Sequence, residues 1–143
     1  MPPTLEGKSP VDKEKISEAV ARIIKAIGED PQREGLRGTS QRVADMYAEL
    51  FQGLEQDPMK ELATEFEEGH HEMVFLSNIP FYSMCEHHLL PFFGAAHIGY
   101  IPNEKGRVVG ASKLGRVLDI LAKRPQLQER LTTQIAGTIL KAL

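Results

Sequence analysis

The sequence has a single cysteine, no tryptophan and only 6% aromatic residues. One cysteine excludes an intramolecular disulfide, and with it the small cross-linked scaffolds of secreted proteins. No apolar run approaches the roughly 20 residues that cross a bilayer. The start of the chain, MPPTLEGKSPVDKEK, lacks the apolar stretch of a secretory signal. A cytoplasmic protein with no membrane partner is therefore expected. Neither sign of charge dominates: 17 Lys and Arg against 20 Asp and Glu leave a net charge of -3. That balance excludes a general attraction to nucleic acid, so any anionic ligand must meet a local basic site. There is no internal repeat or low-complexity tract. What remains is an ordinary soluble composition, 41% hydrophobic and 26% charged, over 143 residues, enough chain for one cored domain.

The pattern of apolar residues predicts the order α, α, β, β, α, α, an α+β fold. After a polar arm to about Ser9, Ile16, Val20, Ile23, Ile24 and Ile27 fall on one helical face. Thr39 and Ser40 are cap candidates for a second helix, whose inward face would run from Val43 to Leu54. Residues 55–72 carry many more acids than bases and read as a solvated connection or edge. Residues 73–76, 79–82 and 95–101 are rich in β-formers. A third helix turns Leu114, Val117, Leu118 and Leu121 inward, and a fourth is expected to begin near Pro125, with Leu127, Leu131, Ile135, Ile139 and Leu143 inward. Two strands make a poor sheet, and the helical pattern is still running at Leu143. The expectation is a fragment, or a sheet completed by other subunits.

The lone cysteine lies in Ser83-Met84-Cys85-Glu86-His87-His88-Leu89-Leu90-Pro91-Phe92. Thiolate and imidazole are both good zinc ligands, and the two-residue spacer lets one turn bring Cys85 and His88 to the same ion. This makes half a zinc site. His87, pointing elsewhere, suits proton transfer beside a metal. The plainer alternative is a buried thiol next to an ordinary histidine.

A second constellation opens the third helix. Lys113 and Arg116 stand three apart in its first turn, where cations oppose the helix dipole. An anion there, held also by Ser112 and backbone N–H groups, would remove the conflict, which points to a phosphorylated ligand. Solvation, or pairing with the acidic connection, is the competing explanation. At the fourth helix, Gln128 and Glu129 offer an amide and a carboxylate. A carboxylate matches the ring N–H and amino group of a guanine edge, although Glu129 also suits the dipole unaided. His97 reads as structural, and His70 and His71 as solvated.

Taken together these blocks resemble the GTP cyclohydrolase I family from about Ile16 to the last residue. The resemblance rests on Arg33-Glu34-Gly35-Leu36 with Arg42-Val43-Ala44, the Cys85 run, Gly99-Tyr100-Ile101-Pro102, Ser112-Lys113-Leu114 with Arg116, and Gln128-Glu129-Arg130-Leu131-Thr132. It implies that Cys85 and His88 ligate Zn2+, that His87 is the acid/base group, that Ser112, Lys113 and Arg116 face the triphosphate, and that Gln128 and Glu129 hold the guanine. The implied reaction opens the guanine ring of GTP, releases C8 as formate and forms 7,8-dihydroneopterin triphosphate for folate or pterin biosynthesis. The implied fold is N-terminal helices followed by a tunnelling fold, an antiparallel sheet with two helices on one face, assembled into a homo-oligomer, usually a homodecamer. On that basis residues 1–70 form an arm, two helices and the acidic connection, and residues 71–143 a partial catalytic domain. The family's final strand pair, which carries its third zinc ligand, has no counterpart here, so little activity is expected of these 143 residues alone. A non-catalytic paralogue that assembles with full-length subunits is the alternative. Tunnelling-fold relatives acting on pterins or deazapurines have no need of the Cys-Glu-His-His run.

Overall fold

The computed structural model describes residues 11–63 and 65–143. Helix α1 (Lys13–Ala26) starts where the Asp12 carboxylate accepts the Lys15 N–H at 3.0 Å. Helix α2 (Thr39–Leu50) packs against α1, and the Lys13 ammonium meets the Asp45 carboxylate across the pair at 3.0 Å. Its start departs from the sequence expectation. Neither Thr39 nor Ser40 caps it; Gly38 occupies the cap position at φ 77, a left-handed conformation that glycine adopts without steric cost, and no side chain caps the helix. The apolar stripe of α1 is only partly covered, with Ile24 buried but Ile23 and Ile27 exposed.

The acidic connection is more ordered than expected. It forms two short 3-10 turns, Gln52–Glu55 and Pro58–Leu62, then strand β1 (Glu65–Glu67). Strand β1 pairs antiparallel with β4 (Arg107–Val109), and Arg107 lies between Glu65 and Glu67 as their counter-ion, at 3.0 and 3.4 Å. Leu62, at the end of the second turn, is fully buried in the main core.

Strands β2 (Val74–Cys85) and β3 (Pro91–Tyr100) make a long antiparallel hairpin, interrupted between Leu76 and Ile79 by a bulge. At the bulge Asn78 adopts φ 56, and its N–H donates to His97 Nδ1 at 3.3 Å. His97 also stacks on Phe75, which agrees with its reading as structural.

Helix α3 (Ala111–Ala122) leads into a two-residue strand β5 (Pro125–Gln126), and α4 (Gln128–Ala142) follows. The fourth helix thus begins later than expected, because Pro125 and Gln126 pair in parallel with Met84 and Cys85 at the end of β2. Strand β2 is therefore the centre of a three-stranded sheet ordered β3-β2-β5. The core joins Leu114, Val117, Leu118 and Leu121 of α3 to Leu131, Ile135 and Ile139 of α4 and to Ile98 and Tyr100 of β3. These are the inward faces read from the helical spacing. The architecture is α+β, N-terminal helices followed by a sheet with helices packed on it. No described helix is long and apolar enough to cross a membrane.

Candidate active site

Cys85 is the last residue of β2, and Glu86, His87, His88, Leu89 and Leu90 form the loop of the β2–β3 hairpin. Two hydrogen bonds close the loop: the Cys85 N–H donates to the Leu90 carbonyl at 2.8 Å, and the Leu89 N–H to the Cys85 carbonyl at 2.9 Å. Leu89 completes the turn at φ 53, a left-handed conformation that costs a branched side chain about 1–2 kcal/mol. The thiol is half-buried, while both imidazoles are exposed, their ring planes at 89° and their centroids 6.3 Å apart.

The donors fit zinc in kind, a sulfur and an imidazole nitrogen from one tight turn. In number they are half a set. Among the described residues no group of three or more Cys, His, Asp or Glu side chains converges on a point that could hold an ion. His70 and His71 are exposed in the connection, away from any such cluster.

Strand β5 brings the start of α4 to this loop. Cys85 is in register with Gln126, and the Glu86 N–H donates to the Gln126 carbonyl at 3.0 Å. The Gln126 side chain is buried, its amide donating to the Leu121 carbonyl at 2.9 Å and to Gln134 Oε1 at 2.7 Å. Its own Oε1 is buried and has no partner among the described residues. Gln128 and Glu129 follow in the first turn of α4, both exposed. The Glu129 carboxylate forms no ion pair among the described residues. Arg130, next along, grips Glu86 with both guanidinium arms, and that contact holds the Glu86 carboxyl below the ordinary glutamate range.

Ser112, Lys113 and Arg116 lie at the opposite end of α3, a helix of 12 residues and so about 18 Å long. Ser112 is exposed, and no side chain caps this helix. Lys113 and Arg116 both reach the Glu61 carboxylate at 3.4 Å, the pairing with the acidic connection that was the competing explanation. One chain therefore gathers the Cys85–His88 loop and the Gln128–Glu129 turn on one side, and leaves the cationic group on another.

A model of the GTP cyclohydrolase I family matches residues 16–143. The chain belongs to that family. It is 61% identical over 132 residues to the GTP cyclohydrolase 1 of Dehalococcoides mccartyi, covering 92% of this chain and 70% of that protein. The GTP cyclohydrolase 1 of Carboxydothermus hydrogenoformans is 62% identical over 133 residues, 93% of this chain and 69% of the relative. That of Pelotomaculum thermopropionicum is 60% identical over 132 residues, 92% and 70% respectively. The chain thus spans about 70% of the length of these family members.

Two residues of the family blocks carried no role in the sequence reading and are prominent here, Glu86 and Arg130. The signal was present, since Arg130 is a cation in a first helical turn, as Lys113 is, and asks for an acidic partner. Gln126 could not be singled out, because its importance comes from a strand pairing across some forty residues of chain.

Proposed function

We propose that this protein acts as a zinc-dependent GTP cyclohydrolase I, opening the guanine ring of GTP hydrolytically and releasing formate to give 7,8-dihydroneopterin triphosphate. The observation that carries the reading is the parallel pairing of Met84 and Cys85 with Pro125 and Gln126. It sets a metal-ligating loop beside a carboxylate and an amide suited to a guanine edge, so one purine can meet both. Cys85 and His88 would hold the ion, which supplies a water ionised near neutral pH. His87, exposed next to His88 in the same loop, moves protons at the purine imidazole ring. Glu129 accepts the ring N–H and amino group of the guanine, and Gln128 completes the edge.

Ser112, Lys113 and Arg116 hold the triphosphate, whose oxygens take the place of the Glu61 carboxylate. Because that group lies about a helix length from the loop of its own chain, the full site forms between subunits of a homo-oligomer, one lending the phosphate group and its neighbour the purine end. A catalytic zinc ordinarily has three protein ligands, so Cys85 and His88 would need a further donor to hold it. The test incubates the natural full-length product with GTP, then oxidises and dephosphorylates the mixture and reads neopterin fluorescence. A signal supports the reading; silence from a folded, zinc-loaded sample overturns it.

A further inference from the structure

We infer that Glu86 and Arg130 form a positioning clamp that fixes the Cys85–His88 loop against the first turn of α4, and so sets the distance between the two ends of the purine site. The inference deepens the proposed function and rests on it for its catalytic consequence. Its structural content stands on the contacts alone.

Three ties run from the loop to residues 125–130. Two are backbone ties, the β2–β5 register and the Glu86 N–H on the Gln126 carbonyl. Both end at Gln126, before the helix begins. They leave the loop able to pivot relative to Gln128 and Glu129. The third tie crosses that pivot. Arg130 is the third residue of α4, and its guanidinium meets both Glu86 oxygens, the Nη2–Oε1 contact at 2.8 Å. A two-armed contact fixes orientation as well as distance, which a single hydrogen bond or a lysine does not.

Each partner answers a need of the other. Glu86 sits between Cys85 and His87, so its direction is coupled to theirs through the short hairpin loop. Arg130 opposes the dipole at the start of α4 and needs a carboxylate. The adjacent Glu129 projects about 100° round the helix and is a poor partner. With Glu86 holding Arg130, the Glu129 carboxylate stays open to a ligand. Neither Glu86 nor Arg130 need touch substrate for this.

The experiment compares Glu86→Gln, Arg130→Gln and the double substitution with the natural protein, first by amide hydrogen exchange over residues 83–91. Losing an exposed ion pair should speed exchange in that segment about 3- to 5-fold in each single variant. The double variant should be no faster than the singles, because both remove one contact. Exchange in the buried half of α3 should not change. Unchanged exchange in the loop, or effects that multiply in the double variant, would overturn the clamp. If a glutamine variant fails to fold, Arg130→Lys, which keeps the charge and loses the fork, should still give faster loop exchange.

Steady-state kinetics supply the second readout. Misplacing reacting groups slows chemistry, so kcat should fall about tenfold. The KM for GTP should stay within about twofold, because the triphosphate is held elsewhere. A rise in KM with kcat intact would make the pair a binding contact and refute a positioning role. A natural protein that does not turn over GTP defeats the functional reading, while the exchange measurements still decide the clamp.

Discussion

Replacing Ser83 by alanine isolates one contact that holds the end of β2 in place. The Ser83 Oγ donates to the Ala122 carbonyl at 2.6 Å, joining the central strand to the end of α3, and both residues are 2% exposed. A buried hydrogen bond contributes about 0.5–1.5 kcal/mol net, but stranding its acceptor adds about 1–3 kcal/mol. Which figure applies depends on the carbonyl. The Arg124 N–H also donates to it, at 2.8 Å, so the acceptor stays satisfied in the variant. The smaller figure governs, and the cost should be about 1 kcal/mol. With an unfolding entropy of about 2.1 cal/mol/K per residue, the 143-residue chain should lose about 3 °C of melting temperature. Urea titration and thermal unfolding at fixed protein concentration measure it. No change would show that the hydroxyl is exchanged for solvent without cost. A loss beyond about 3 kcal/mol would mean that the carbonyl is stranded, and either result would rule out one hydrogen bond lost from a still-satisfied acceptor.

Other perturbations test other joints. Gly53→Ala would place a methyl 2.0 Å from the Ile120 carbonyl oxygen and 2.8 Å from that of Lys123, so the backbone must move; urea unfolding should show a loss of about 1–3 kcal/mol. Glu61→Gln should release Lys113 and Arg116 for the triphosphate and lower the KM for GTP about 2- to 5-fold, whereas Lys113→Met should raise it. Acid should loosen the α1–α2 pair first. Hydrogen bonds from Lys15 hold the Asp12 carboxyl below its ordinary range, and one from Lys13 does the same for Asp45. Both contributions are complete above the unfolded aspartate pKa of about 3.9 and disappear as pH falls through the depressed folded values. Amide exchange in α1 should therefore rise in acid before exchange in α3 does, and a simultaneous rise would contradict this.

Much of the fold was legible because it depends on local spacing. The apolar faces of α3 and α4 point into the core as their period requires, and Cys85 falls at a strand end. The misreadings share a cause. Pro125 looked like a helix start, yet its pairing with Met84 is decided across the chain and leaves no local mark. The alternation Glu65-Phe66-Glu67 is a strand signal, but three residues amid so many acids read as solvent-facing until Arg107 supplies their counter-charge. Thr39 and Ser40 are good cap residues displaced one step by a left-handed glycine. For the candidate site, each residue type was legible and the grouping was not. The sequence cannot tell that the start of α4 is tied to the Cys85 loop while Lys113 lies at the far end of α3.

If the Cys85 loop acts on a bound guanine as proposed, C8 leaves as formate. Release of labelled formate from GTP carrying the label at C8 tests it most directly, using the natural full-length product and its Cys85→Ser variant. Formate should appear in step with GTP consumed, and be lost in the variant. Equal release by the variant, or GTP consumed with the label still on the purine, would contradict it.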